Sequence, residues 1–252
     1  MRPTHDPRAA AAPRAYGARD MSIECVTFDL DDTLWAVGPV IMRAEEEFYA
    51  WLAQRCPRIT TALDRAQMVA HRRGFSQQYP HQLHDLTALR KRWLAHVFDE
   101  FGYSEESVET AFRVFWEHRN TVQLFAEVTP AMERLRENYT LGVITNGNAC
   151  VEHIGIAHWF DFVVSAEHAG AAKPAPRIFQ AALAHAGVEA ARVAHVGDDP
   201  ANDVRGAAGV GMRTVWYNPA RAPWPGGPDP DAAPDAVIAS LADLDGALAR
   251  IG

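Results

Sequence analysis

Several things are scarce in this chain. No apolar run approaches the roughly 20 residues that a bilayer-spanning helix needs, so no membrane association is expected. Cysteine occurs three times in 252 residues. Cys25, Cys56 and Cys150 lie far apart without a CxxC pair, which fits neither a disulfide framework nor a zinc site and points to a reducing, cytoplasmic setting. Positive charge is in deficit, with 24 Lys and Arg against 32 Asp and Glu. That balance argues against a nucleic-acid-coating surface, yet leaves room for a small anionic ligand where cations gather locally. There is no internal repeat. The first twenty residues lack a hydrophobic segment of the secretory type. They scatter Arg2, Arg8, Arg14 and Arg19 among Ala, Pro, Asp6 and Asp20, so residues 1–20 are expected to form a disordered extension, with Met21 as an alternative start.

What the chain does have is enough apolar residues for a sizeable core, 48% of the total. From Met21 onward, short β-type runs alternate with helix-length segments. Strands are expected at 23–29, 140–145, 161–165, 192–197 and 212–217. Such βα alternation predicts an α/β fold with a doubly wound, Rossmann-like parallel sheet. Between the first two strands stands an all-helical stretch, with helices expected at 39–55, 61–73, 83–101 and 105–120. Leu86, Leu89, Trp93, Leu94 and Val97, for example, recur at three- and four-residue spacing. The expected organisation is a core of residues 21–37 and 125–252, interrupted by a smaller helical domain, 38–124, with Gly38-Pro39 and 126–130 as hinges. A Pro- and Gly-rich loop, 219–234, precedes a short run at 236–238 and a last helix at 241–250.

In open parallel sheets, ligands bind beyond the carboxyl ends of the strands. After the first expected strand come Asp29 and Asp31, and after the second Thr145-Asn146-Gly147-Asn148. The third is followed by a loop to Lys173, and the fourth by Gly197-Asp198-Asp199-Pro200-Ala201-Asn202-Asp203. Taken singly, each has a plain structural reading: a helix cap, a turn, a solvated lysine. Together they place carboxylate, hydroxyl, lysine and carboxylate on one sheet edge, which points to catalysis. Adjacent Asp residues at the end of a buried strand also require a cation or hydrogen-bond donors to compensate them.

These motifs, Asp29-Leu30-Asp31-Asp32-Thr33, Thr145, Lys173 and Gly197-Asp198-Asp199 with Asp203, resemble the four motifs of the haloacid dehalogenase (HAD) superfamily. The resemblance spans Met21 to about Tyr217, and the helical stretch corresponds to the family's inserted cap. It implies a Mg2+-dependent phosphatase in which Asp29 is the nucleophile and forms an aspartyl-phosphate. Asp31 would protonate the leaving alcohol and then activate water. Asp29, the Asp31 carbonyl and Asp198 would hold Mg2+. Thr145 and the backbone N–H groups around Asn146 would bind the phosphoryl oxygens, and Lys173 would balance the charge. Asp199 or Asp203 would hold the metal water or orient Lys173.

Rival readings are a haloacid dehalogenase, a phosphomutase and a binding protein that keeps the fold without turnover. Family dehalogenases work without metal and lack the second aspartate, because halide leaves without a proton, so Asp31 favours the phosphatase. Substrate choice falls to the inserted helices, where Trp35, Arg43, His84, Asp85, Thr87, Arg90 and Arg92 are candidates to face the site. Arg90 and Arg92 diverge on a helix, so only one of them is expected to point inward. The segments 38–43, 84–90 and 144–149 resemble a bacterial flavin mononucleotide (FMN) phosphatase branch. That branch implies FMN or the phosphorylated ribitylaminouracil precursor of riboflavin as substrate, ahead of a nucleotide or sugar phosphate. His195 and Cys150 are expected to be packed side chains rather than reactive ones.

Overall fold

The computed structural model describes residues 22–226 and 233–252. The expected N-terminal extension, Met21 and the centre of the Pro- and Gly-rich loop lie outside the described residues. Six strands form one all-parallel sheet: β1 (Cys25–Phe28), β2 (Thr140–Thr145), β3 (Phe162–Ser165), β4 (Val193–Gly197), β5 (Arg213–Tyr217) and β6 (Ala236–Ile238). Their order is β3-β2-β1-β4-β5-β6. β1 and β4 are buried at every position, as continuous apolar strands covered on both faces must be. Alternation along β1 serves two layers. Val26 and Phe28 join Val128, Leu135, Leu244 and Leu248 in one apolar cluster, while Cys25 joins Ile144, Ile178, Phe179 and Met212 in another. β1 has β2 on one side and β4 on the other. The chain thus leaves β1 in both directions, the point where a crevice opens beyond the strand ends.

The stretch between β1 and β2 holds α1 (Val37–Arg55), α2 (Pro57–Ala62), α3 (Arg65–Gln77), α4 (Leu86–Glu100) and α5 (Val108–Arg119). Their inward faces share a separate apolar cluster built on Phe48, Leu52, Ile59, Trp93, Phe98 and Phe115. The boundaries differ from the sequence expectation for identifiable reasons. A single helix over 61–73 is instead two. Asp64 accepts from the Gln67 N–H while the Gln67 side chain accepts from the Asp64 N–H, a capping box that ends α2 and starts α3. α4 begins at Leu86 rather than 83 because the Asp85 carboxylate accepts from the Ala88 N–H. α1 begins before Pro39, which sits in its first turn, where a missing N–H is harmless. Gly38-Pro39 is therefore helical rather than a free hinge.

The remaining helices flank the sheet: α6 (Val128–Leu135), α7 (Val151–Ile154), α8 (Ala166–Ala169), α9 (Pro176–Ala186), α10 (Gly206–Ala208) and α11 (Leu244–Ile251). Among the described residues no helix is long and apolar enough to cross a membrane.

Candidate active site

The backbone of β1 continues one residue past its last strand position, where the Asp29 N–H donates to the Val196 carbonyl at 2.9 Å. This hydrogen bond holds Asp29 between β1 and β4 with 7% of its surface exposed. The chain then turns sharply. Asp32 takes a left-handed φ of 60°, its N–H donates to the Trp35 carbonyl, and its carboxylate accepts from the Val37 N–H at the start of α1. The turn folds Trp35 back over Asp31, and the indole Nε1 donates to Asp31 Oδ1 at 3.0 Å. Arg119, the last residue of α5, donates from Nη2 to the other oxygen, Oδ2, at 2.6 Å. Both oxygens of Asp31 are thereby fixed, one from its own loop and one from the inserted helices.

Lys173 arrives from the loop after β3 and is fully enclosed. Its ammonium donates to Asp29 Oδ1 at 2.6 Å, to Asp203 Oδ1 at 2.6 Å and to the Ile144 carbonyl at 2.8 Å. Three donors meet three acceptors. Asn146 positions that lysine. Its Oδ1 accepts from the Lys173 N–H at 2.7 Å and its Nδ2 donates to the Lys173 carbonyl at 3.0 Å. The Asn146 side chain, expected to bind substrate, is therefore engaged with Lys173, and its backbone N–H is the group that remains for a ligand. Thr145, at the end of β2, accepts from the Gly147 N–H at 3.0 Å. Glycine is required at 147, because a Cβ there would lie 2.8 Å from Asp31 Oδ2 and 3.0 Å from Arg119 Nη2.

The loop after β4 divides its carboxylates by role, which the sequence left open between Asp199 and Asp203. Asp199 caps the turn Pro200–Arg205, accepting from the Ala201 and Asn202 N–H groups and from the Asn202 side chain. Asp203 orients Lys173. Its Oδ2 accepts from the Asp199 N–H, and its Oδ1 also faces His195 Nε2 at 3.3 Å. His195 is buried, with Nδ1 2.9 Å from the Thr27 hydroxyl. It is a packed, hydrogen-bonded core residue, as expected from the sequence. The Asp198 carboxylate accepts at Oδ1 from the Thr33 hydroxyl at 3.2 Å, and the Asp198 carbonyl accepts from the Trp216 indole at 2.8 Å.

These environments set the charge states. Burial pushes the Asp29 carboxyl well up, and Lys173 opposes it. Burial also raises Asp31, against the pull of Arg119 and Trp35. Asp203 goes the other way: burial is outweighed by Lys173 and His195, which hold it below the ordinary range. Asp198 is pushed up to about 7, by burial first and then by Asp203 and Asp32. One ammonium thus serves Asp29 and Asp203 together, while Asp198 has no cationic partner among the described residues. Carboxylate oxygens of Asp29, Asp198 and Asp203 come within 4.8 Å of one another. An all-oxygen, charge-excess donor set of this kind fits a hard divalent cation such as Mg2+. Since Asp203 is engaged with Lys173, His195 and Asp199, the oxygens of Asp29 and Asp198 are the ones left to take it.

Beyond Asp31 a cavity of about 600 Å³ opens under α1, α3 and α4. Asp31, Arg119, Gly147 and Asn148 line it at the sheet end, and Glu45, Arg72 and Arg90 line it at the helical end. Of the two diverging arginines, Arg90 faces this space, whereas Arg92 donates to Gln82 and lies over the Tyr79 ring. Trp35 is buried against Asp31 as described. Arg43 ties α1 to the Thr121 carbonyl, and Asp85 is the α4 cap. Thr87 lines a neighbouring cleft shared with Asn148. His84 does not line the cavity beyond Asp31. Arg119 was not anticipated. An arginine ending a helix is ordinary in sequence, and only the fold brings it to Asp31.

A family model described as haloacid dehalogenase-like hydrolase matches residues 23–211. The chain belongs to that family. Among curated HAD relatives, the 5-amino-6-(5-phospho-D-ribitylamino)uracil phosphatase YigB of Escherichia coli (strain K12) is 30% identical over 201 residues, covering 78% of this chain and 84% of its own. A phosphoserine phosphatase of Thermus thermophilus is 32% identical over 161 residues, 62% of this chain and 63% of its own. A solved structure described as 2-haloacid dehalogenase from Pseudomonas syringae pv. Tomato DC3000 superposes with a TM-score of 0.84 at 40% identity, covering 91% of this chain and 100% of that one. The chain is an enzyme of the HAD hydrolase family with phosphatases among its relatives, and it is read as an HAD-type phosphatase.

Proposed function

We propose that this HAD-type phosphatase is a Mg2+-dependent phosphomonoesterase that works through an aspartyl-phosphate on Asp29. The observation that carries the reading is a pair of buried carboxylates each held by a cation: Asp29 by the Lys173 ammonium, Asp31 by the Arg119 guanidinium together with the Trp35 indole. Asp29, whose carboxylate accepts from Lys173, attacks the phosphorus and displaces the alcohol. Asp31, whose carboxyl is raised by burial, delivers a proton to the departing oxygen and later takes one from the attacking water. The Thr145 hydroxyl and the Asn146 backbone N–H hold the phosphoryl oxygens, while Lys173 offsets charge on Asp29 and phosphate. Asp29, the Asp31 carbonyl and Asp198 would hold Mg2+, which supplies a Lewis acid that offsets phosphate charge. Residues 38–124 act as a cap over a core of 21–37 and 125–252.

The substrates that fit best are FMN and 5-amino-6-(5-phospho-ribitylamino)uracil, a reading that assigns the enzyme to riboflavin metabolism. A cavity of about 600 Å³ is roomy for a three-carbon phosphate but suits a ring on a ribityl chain. Similarity to the E. coli ribitylaminouracil phosphatase supports the same choice. Three free cysteines accord with a cytoplasmic setting. The dehalogenase reading, suggested by the name of the structural relative, gives Asp31 no task, since halide needs no proton.

Phosphate release from FMN, ribitylaminouracil phosphate, nucleotides and sugar phosphates, with chloride release from 2-chloropropionate measured alongside, tests this proposal. Highest kcat/KM on the two ribityl phosphates, no chloride and loss of turnover in Asp29→Asn are expected. Even rates across the panel contradict the riboflavin assignment, and chloride release contradicts the phosphatase.

A further inference from the structure

At the helical end of the cavity, three charged side chains from three helices meet. Arg72 of α3 donates from Nη2 to Glu45 Oε1 at 3.0 Å, and Arg90 of α4 donates from Nη2 to the same oxygen at 2.6 Å. Glu45 stands on α1, its side chain 12% exposed, and all three residues line the cavity. No hydrogen bond among the described residues reaches the second oxygen, Oε2. Arg90 is buried against the Phe115 ring, its guanidinium carbon 3.1 Å from the ring centroid, and its Nε–H has no partner. A tie between helices needs only the shared oxygen. What remains for a ligand is Glu45 Oε2 and the guanidinium N–H groups not spent on Oε1, while the Arg90 Nε–H stays buried without a partner.

We propose that Glu45, flanked by Arg72 and Arg90, reads the imide edge of a pyrimidine-2,4-dione ring. That edge presents carbonyl, N–H and carbonyl, the complement of the wall: the imide N–H donates to Glu45, and the two carbonyls accept from the guanidiniums. The isoalloxazine ring of a flavin and the ring of a ribitylaminouracil share this edge, so one device serves both ring systems. Leu83 and Leu86, both exposed where they line the cavity, supply apolar surface for the ring faces. The proposal deepens the ribityl-phosphate reading of the same cavity and rests on it.

The ring can be tested apart from the chemistry, because riboflavin carries no phosphate. Flavin fluorescence titrations of the full-length enzyme with riboflavin and with 3-methylriboflavin, whose imide nitrogen cannot donate, measure the imide contact directly. The expected result is binding of riboflavin and a loss of about 10- to 100-fold for the methylated ring. Glu45→Gln is expected to narrow that difference and to lower kcat/KM on FMN more than on ribitol 5-phosphate, which has no ring. Equal affinity for the two flavins, or equal losses on FMN and ribitol 5-phosphate, would overturn the imide assignment while leaving the phosphatase standing. Absence of phosphate release from any monoester, with riboflavin still bound in preference to its methyl derivative, would overturn the phosphatase and keep the imide site.

Discussion

Lysine is almost absent from this chain: Lys91 and Lys173 are the only two, and arginine supplies the remaining positive side chains. That makes Lys173 informative. Its three N–H groups radiate to Asp29, Asp203 and the Ile144 carbonyl in a space that excludes water. A planar guanidinium cannot point donors in those three directions. Lys173→Arg should therefore abolish turnover although it keeps the charge, and Lys173→Met should also cost about 3–5 kcal/mol of stability by removing the ammonium that two buried carboxylates share. Activity assays with denaturant melts of both variants check this. For Asp31 the account separates substrates by leaving group. In Asp31→Asn, kcat/KM, which reports loss of the leaving group, should fall by about 10²- to 10⁴-fold on alkyl phosphates but far less on p-nitrophenyl phosphate, because nitrophenolate leaves without a proton, whereas kcat should fall on both through slower hydrolysis of the shared aspartyl-phosphate. Arg119→Ala should follow the same pattern more weakly. Equal losses in kcat/KM on both substrates would deny the proton-donor role.

At the scale of elements, the site depends on close approaches that only glycine permits. Gly197 ends β4, and a Cβ there would lie 2.3 Å from Asp203 Cγ. Gly197→Ala should therefore push Asp203 away from Lys173 and lower kcat at least tenfold, with a smaller change in KM; steady-state kinetics and a circular dichroism spectrum distinguish this from unfolding. Sequence reading recovered these elements well where period and punctuation were strong. β1 and β4 read as continuous apolar runs, and the catalytic candidates follow strand ends, so Asp29, Thr145, Lys173 and Asp198 could all be named from the chain alone. It failed where a short side-chain interaction overrides periodicity, as at Asp64 and Asp85, whose caps reset the helix starts. Arg119 and the Glu45–Arg72–Arg90 group were out of reach for another reason. Their partners lie 27 to 88 positions away along the chain, and no local pattern encodes such a meeting.

At the scale of the whole molecule, an excess of buried carboxyl groups links stability to pH and to metal. Asp198 is raised from an ordinary 3.8 to about 7, so between those values the folded protein holds a proton that the unfolded chain has lost. Its contribution therefore falls as pH rises through that window, and below about 4 the penalty is absent. Mg2+, binding the ionised form, should offset the loss. The upward shift in Tm on adding Mg2+ should accordingly grow between about pH 5 and about pH 8, as thermal melts at matched ionic strength would show. A Tm shift independent of pH would contradict the placement of the cation at Asp198.

The central claim is that Asp29 carries the phosphoryl group. Rapid acid quench during turnover of FMN with Mg2+, followed by borohydride reduction and peptide mass spectrometry, tests it most directly. An acyl-phosphate on Asp29 is reduced to homoserine, so the account predicts homoserine at position 29 and nowhere else. Continued phosphate release with position 29 recovered only as unmodified aspartate, or with the reduced residue elsewhere, would contradict it.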